Sequence, residues 1–553
     1  MLNTSKNINI LFIVSILLAL TLRITFEINF PHIDGDYAHL ALEAKNFIEG
    51  HGFTYGRVNA RNISQVKYTP INYYPNGFCM MLVPLYYITG SFISSMVLIQ
   101  VIGIILLIFG FIRIFKILEI DKLVQSIFLL FTAFILTPYS YLLTTDMLTG
   151  ALFLWIIALT IEVVYTQEKR TLWKKIAIGG LLFLSAALRY ACIINILIIP
   201  CFFVFYSILK REKKAFFTGI LIFLCAFIPT LIFNTIYKMT SDRTEFISNL
   251  IHFRFYWNLL KWFDAFPLKA FFYTLPLEYK LPYNQVIIKL VRLFEYLLSI
   301  FILGYLLSYF LKKRDWLTGL KEKKPIDIFT TISIISFILI VGFISFQTIT
   351  TPPEVLGYNP HWMPNIWTFV YCTRYFVIVI FLVQIFFFIL MDTVRKKIVT
   401  LKYSLAFIMI IFALSMFVNI IFWGYTIYKY HIGNSSYSYW YQGRSMISAH
   451  KLITLDAEKN PGVNIVIASR LNYSNVNDPT IFSRATNFTF SYDSVIQGKF
   501  KYTKSVILYT LMPRTNLTEQ EKKFVSGFNA KQVFQWDASI LYPGGTLYRT
   551  FLH

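Results

Sequence analysis

Charged side chains are scarce in this chain. They make up 14% of its 553 residues, against 56% hydrophobic and 18% aromatic, where a soluble protein carries roughly a quarter. That shortage excludes an ordinary soluble globular protein. Cysteine is rarer still, with five in all. Cys192, Cys201, Cys225 and Cys372 lie in or beside apolar runs, and Cys79 stands alone. No C-x-x-C or paired spacing occurs, which excludes a disulfide framework and a zinc site built from cysteine. No small-residue cleavage signal follows the first apolar run, so that run reads as an uncleaved span. Low-complexity linkers and internal repeats are also lacking.

What the chain does have is long apolar runs, such as "ILFIVSILLAL", "VLIQVIGIILLIFG" and "FVIVIFLVQIFFFIL". Crossing hydrocarbon takes roughly 20 residues per helix, and these runs lack the alternation of barrel strands, so they read as helices. By apolar length there are about eleven spans, centred near residues 17, 105, 132, 156, 182, 200, 224, 300, 336, 382 and 414.

The formal charge of +23 comes from 51 Lys plus Arg against 28 Asp plus Glu. The basic residues form no single patch, so nucleic acid is not an expected partner. They cluster between apolar runs instead. Arg113, Lys116 and Lys122 follow the second span, and Lys169, Arg170, Lys174 and Lys175 the fourth. Lys210, Arg211, Lys213 and Lys214 follow the sixth, "LKKRDWLTGLKEKK" the eighth and "RKKIVTLK" the tenth. The opposite connections "TPYSYLLTTD" and "QTITTPPEVLGYNPHWMPNIWTFVYC" hold no Lys or Arg. Under the positive-inside rule the N-terminus is cytoplasmic.

An odd number of spans places residues 430–553 on the far side. There "VNIVIAS" and "KSVILYTL" read as buried strands, and "YPGGTLYRTFL" as a turn and a last strand. "LTEQEKKFVSGF" reads as a helix opened by a capping box of Thr518 and Glu521. The expected fold is therefore a polytopic α-helical membrane protein of about 11 transmembrane helices. It comprises a membrane domain over 1–429, with outer loops 28–90, 237–284 and 347–371, and a small α/β extracytoplasmic C-terminal domain over 430–553.

Ionisable groups gather on the outer side. Asp34 and Asp36 lie just past the first span, Asp146 opens the fourth, Arg189 ends the fifth and Arg374 begins the tenth. Charges at membrane depth are costly and tend to face a cavity or a partner. Simpler roles exist for each. Asp36 and Asp146 suit helix N-termini, and a terminal Arg can snorkel to the interface.

Taken in order, "GDYAHLALEAKNFIEGHGFTYG", "YTPINYYPNGFCMMLVPLYYITG", "TTDMLTGALFLW", "LRYACIINILIIP" and "TRYFVIVIF" resemble the C-type membrane glycosyltransferases. Within that class they are similar to the branch of protein O-mannosyltransferases and aminoarabinose transferases, which use a sugar carried on a polyprenyl phosphate. The resemblance runs through the first ten or so spans. It implies that an acid in the first outer loop is the catalytic base, a place Asp36 fits, and that Asp146 is a second site acid. Many members carry Asp-Glu where this chain has Asp-Gly-Asp, so Asp34 stays a candidate.

Such a reaction needs a base for the acceptor's proton and cations for the departing lipid phosphate, where Arg offers a fork. Arg374 and Arg189, with Arg57, Arg61 and Lys67 of the first outer loop, are the candidates for the phosphate. Direct attack inverts the anomeric centre, and no covalent nucleophile is evident. These residues specify no cofactor with certainty, and a divalent metal stays open, since Asp34 and His32 are of types that suit one. The partners implied are a polyprenyl-phosphate-linked sugar, an extracytoplasmic acceptor (lipid, glycan or protein) and membrane lipid. The setting implied is a bacterial inner membrane. A transporter or lipid-linked sugar flippase, and a polysaccharide polymerase or ligase, remain as alternatives.

The charge pattern makes one direct prediction. Cysteines placed near 118, 170, 212, 318 and 397 will be labelled from the cytoplasmic side, and one at residue 500 only from the other. Cytoplasmic labelling at 500 overturns the assignment of sides.

Overall fold

The computed structural model describes residues 4–29, 35–59, 61–70, 75–134, 145–165, 171–236, 316–350, 377–396, 452–453, 455–469, 487–489, 491–514, 516–536 and 545–553. In chain order come α1 (Thr4–Asn29), α2 (Gly35–Ile48), β1 (Thr54–Asn59), β2 (Asn62–Pro70), α3 (Gly77–Thr89), α4 (Phe92–Ile117) and α5 (Lys122–Phe134). Next are α6 (Asp146–Tyr165), α7 (Leu172–Leu188), α8 (Asn195–Lys210), α9 (Lys213–Ile236), α10 (Trp316–Lys321), α11 (Pro325–Thr350) and α12 (Val377–Lys396). The last are β3 (Asn464–Ser469), β4 (Asn487–Thr489), α13 (Tyr492–Ile496), β5 (Val506–Pro513), α14 (Glu519–Gly527), β6 (Lys531–Trp536) and β7 (Gly545–Leu552).

Among the described residues, six helices are long and apolar enough to cross a membrane. They lie at Asn7–Ile28, Phe92–Ile117, Asp146–Tyr165, Cys192–Lys210, Lys213–Ile236 and Pro325–Phe343. The chain is an integral, polytopic helical membrane protein. The spans expected near 300 and 414, the loop 237–284 and residues 351–371 lie outside the described residues.

The chain divides into two compact units. The first comprises residues 1–30, 99–141 and 145–420. Within it α1 packs on α5, α6 on α7, α9 on α7 and α8, and α12 on α5 and α6. Helix α6 is apolar on nearly all sides and buried along most of its length, as a helix without a polar face must be. By contrast Ile13, Val14 and Leu17 of α1 and Phe217, Leu231 and Ile232 of α9 are exposed. In water such a surface invites association; against lipid it carries no penalty. Gly103 and Gly110 let α4 approach α6 closely. A Cβ on Gly103 would lie 3.2 Å from the Leu148 backbone N, and one on Gly110 3.2 Å from the Leu154 Cβ. Small residues serve this purpose at helix interfaces in lipid. Edge-to-face rings fill the next layer, with Phe111 centred 4.6 Å from Phe128 and Phe128 4.7 Å from Phe388. Such geometry suits the aromatic quadrupole.

The second unit comprises residues 31–98, 142–144 and 421–553. Its centre is a five-stranded sheet in the order β4-β3-β5-β7-β6. β3 runs parallel to β4 and β5, while β7 is antiparallel to β5 and β6. Side chains alternate across it. Ile465, Ile467, Ile507 and Tyr509 face one core, and Val466, Ala468, Val506 and Leu508 the other. Both faces are covered, which is why the central strands read as continuous apolar runs. The capping box forms as its spacing predicts. Thr518 Oγ1 accepts from the Glu521 N–H at 3.3 Å, and Glu521 Oε2 from the Thr518 N–H at 2.6 Å. Arg549 donates from Nη2 to Asp456 Oδ1 at 2.9 Å, and the Tyr509 hydroxyl to Asp456 Oδ2 at 2.7 Å.

The first loop's hairpin belongs to this unit. β1 and β2 pair antiparallel, and Val58 and Ile63 join the core with Val466, Val495 and Phe524. Hydrogen bonds fix the docking: the Ile63 N–H donates to Lys501 O at 2.8 Å, and the Ser64 hydroxyl donates to Lys504 O at 3.0 Å. Ile63 is fully buried, and truncating such a residue costs about 2–5 kcal/mol. Ile63→Ala will therefore speed amide exchange in β1, β2 and the 499–504 segment by more than tenfold, with helices of the first unit unchanged. Unaltered exchange in 499–504 would show that the hairpin is not held there.

Candidate functional site

Two of the acids and bases singled out in the sequence meet in the first unit. Asp146 is the first residue of α6, where the helix dipole favours a carboxylate, and it is wholly buried. Arg189 stands just past α7 in extended conformation (φ −156°, ψ 127°), its N–H donating to Ser185 O at 3.1 Å. Arg189 forms an ion pair with Asp146. A buried charge is stable only when paired, and each of these residues supplies the other's counter-charge.

The surroundings add polar groups. Thr145 Oγ1 lies 3.5 Å from Leu188 O, tying the start of α6 to the end of α7. A short 3₁₀ turn, Tyr190–Ile194, leads from Arg189 into α8, which opens with Asn195. Asn195 is buried, and neither its amide nitrogen nor its oxygen finds a hydrogen-bond partner among the described residues. The same holds for Ser185 Oγ. Buried polar atoms are rarely left unpaired, so this end of α6, α7 and α8 is suited to a polar ligand.

At its other end α6 is tied to the same neighbour. Lys174, near the start of α7, pairs with Glu162 Oε2 at 2.9 Å, and Arg113 of α4 donates to Glu162 Oε1 from Nε at 2.8 Å. The antiparallel α6–α7 pair is thus joined by ions at both ends and by apolar packing between.

The remaining expected site residues fall elsewhere. Asp36 is the second residue of α2, in the second compact unit; its side chain, like that of Arg57, is outside what is described. Arg57 on β1 is opposite Lys67 on β2. Lys67 is exposed, and so is Arg61, whose backbone N–H donates to Asn59 Oδ1 at 3.0 Å. Asp34, His32 and Arg374 lie outside the described residues. Among the described residues no three His, Cys, Asp or Glu side chains gather as a metal would need.

No family model matches the sequence, and no curated protein matches it. Among solved structures, the chain is similar to ArnT from Cupriavidus metallidurans in the apo state, with 10% identity and a TM-score of 0.46 over 99% of this chain and 98% of that one. It is similar to ArnT from the same organism bound to undecaprenyl phosphate, with 12% identity and a TM-score of 0.44 over 97% of each chain. A third likeness is to the oligosaccharyltransferase of Archaeoglobus fulgidus in the apo form, with 12% identity and a TM-score of 0.48 over 91% of this chain and 69% of that one.

The structure also adds buried polar residues that the reading by loops and spans passed over. Glu27 and Arg23 sit one turn apart at the end of α1, both buried, and Arg23 Nε donates to Thr132 O at 2.9 Å. An acid inside the last turn of a span is itself a signal, and "TFEINF" carried it. Glu43 lies two turns along α2 from Asp36, fully buried, accepting from the Cys79 thiol at 2.9 Å. Its second oxygen has no partner among the described residues. Asn46, one turn on, donates to Thr54 O at 2.7 Å and so ties α2 to the hairpin.

Burial raises the Glu43 carboxyl from its ordinary value of 4.5 to about 8, against the smaller opposing effect of the Cys79 hydrogen bond. Between these values the folded chain holds a proton that the unfolded chain has released. The stabilisation contributed by Glu43 is therefore full below about pH 4.5 and is lost as the pH rises through 8. Thermal unfolding of purified protein from pH 5 to 9 will show this decline, and Glu43→Gln will lack it. Parallel profiles for the two proteins would contradict a protonated Glu43.

Proposed function

We propose that the chain is an inverting glycosyltransferase of the C-type membrane class, moving a sugar from a polyprenyl-phosphate donor to an extracytoplasmic acceptor. The observation that carries this reading is the buried Asp146–Arg189 ion pair at one end of α6 and α7. The ordered motifs resembling that class agree with it. A guanidinium held by a carboxylate at membrane depth keeps its charge and its direction, and an arriving lipid phosphate needs both.

In this mechanism Asp36, at the start of α2, accepts the proton of the acceptor as it attacks the anomeric carbon. Asp34 is the alternative base or a supporting acid. Arg189, oriented by Asp146, and Arg374 stabilise the charge that develops on the departing phosphate. Arg57, Arg61 and Lys67 add positive potential from the hairpin. Such a protein has about eleven spans, a membrane domain over 1–429 and a domain over 430–553 outside a bacterial inner membrane. The N-terminus is then cytoplasmic.

Incubation of purified protein with labelled polyprenyl-phosphate sugars and an envelope extract tests the proposal directly. The expected result is transfer of label with consumption of donor. Asp36→Asn keeps a helix cap but cannot act as a base, so its rate will fall on the order of 100- to 10,000-fold; a lost cap would cost only about 1 kcal/mol of stability. Arg374→Lys keeps charge without the fork and will also transfer slowly. Near-parent rates in both Asp36→Asn and Asp34→Asn proteins would remove the mechanism. Donor bound or moved across a vesicle but left intact would replace the enzyme with a transporter.

A further inference from the structure

At the end of α6 remote from Asp146 lies a cavity of about 1000 Å³ in the first compact unit. Asp146 opens that helix and Tyr165 ends it, so the two ends are roughly 28 Å apart at 1.5 Å per residue. That is close to the hydrocarbon thickness of a bilayer. The cavity is therefore not part of the Asp146–Arg189 site.

Its walls are of two kinds. Leu106, Phe109, Trp155 and Ile326 make an apolar side, and Phe109 of α4 is 44% exposed. Arg113, Lys116 and Lys324 make a cationic side. Two acids, Glu119 and Glu162, also line it. Glu162 is held between Arg113 and Lys174. Lys324 has a nearby counter-ion in Glu322 at 2.5 Å, both exposed to solvent. Counting Lys174 and Glu322, four cations meet three acids, and the one-charge excess corresponds to Lys116 on the last turn of α4.

The geometry of the cationic side is built rather than incidental. The Trp155 indole donates to Leu106 O at 2.9 Å, which fixes the ring, and the Arg113 guanidinium lies over it at 5.0 Å. Gly110 permits this: a Cβ there would lie 3.3 Å from the Trp155 Nε1. Helix α11 begins at Pro325, beside Lys324, and its buried Asp327 offsets the positive end of that helix.

From these features we infer that the cavity binds an anionic phospholipid, with its headgroup phosphate at Lys116, Lys324 and Arg113 and an acyl chain along Leu106, Phe109 and Trp155. A free anion would use the cations but not the apolar wall. A zwitterionic lipid would use the wall but bring its own positive charge to the cations. The anionic lipid satisfies both sides.

Native mass spectrometry of the full-length protein in detergent, titrated with phosphatidylglycerol, phosphatidylcholine or inorganic phosphate, tests this. Phosphatidylglycerol will be retained in preference to phosphatidylcholine. Each exposed lysine near a membrane surface contributes about fivefold, so Lys116→Gln with Lys324→Gln will weaken retention roughly 25-fold. Equal retention of the two lipids, or an unchanged affinity in the double variant, overturns the site. Displacement of the lipid by millimolar inorganic phosphate reduces it to an anion site and overturns the lipid assignment. A second measurement needs no lysine variant: brominated phosphatidylglycerol will quench the emission component that Trp155→Phe removes, more strongly than brominated phosphatidylcholine. Absence of that difference also counts against the proposal.

Discussion

A charge inside a hydrocarbon layer must find its counter-charge within the protein, and helix α6 shows how far that demand shapes this fold. Its first residue, Asp146, pairs with Arg189 beyond the end of α7, and near its last turn Glu162 pairs with Lys174 near the start of α7. Between the two pairs the helix is apolar and buried. Removing one partner of a buried pair strands the other, at about 3–5 kcal/mol, whereas sliding α6 along α7 by one turn would break both pairs at once. The antiparallel register of the two helices is therefore set by ions, and their closeness by packing.

That arrangement separates polar functions by the length of one helix. At the Asp146 end, Asn195 and Ser185 add buried polar atoms that lack protein partners among the described residues. At the Glu162 end, Arg113, Lys116 and Lys324 meet an apolar wall. The same physical rule produces both clusters, because ionisable residues are tolerated near span ends far better than at the middle. Different neighbours give the two ends different chemistry.

The second unit follows the rules of water-soluble structure. Its sheet buries apolar residues on alternate faces, its last helix carries a capping box, and a half-buried carboxylate, Asp456, is held by Arg549 and Tyr509. The hairpin of residues 54–70 enters this unit by giving Val58 and Ile63 to one core. Asn46 of α2 reaches the same hairpin through Thr54. The segment that carries Asp36 is thereby joined, through α2, to strands from the far end of the chain.

Much of this was legible from composition and periodicity. Runs of apolar residues declare spans, because a backbone in hydrocarbon must satisfy itself. Strands such as "VNIVIAS" and the box formed by Thr518 and Glu521 are local patterns with local causes. Asp146 and Arg189 could be singled out by their level in the membrane. Their pairing with each other could not, since level says nothing of which way a residue points around its helix, and only the packing of α6 on α7 decides that. Glu43 was invisible for a related reason: on an amphipathic helix an acid reads as solvent-facing until another element, here helix α3 bearing Cys79, covers it. The membrane class, the long apolar helices and strands β3, β5 and β7 were readable in the chain, because these depend on neighbours a few residues away. Which charges meet, which acid is buried and where the first hairpin docks were decided only by the tertiary structure, because each depends on contacts between residues far apart in the chain.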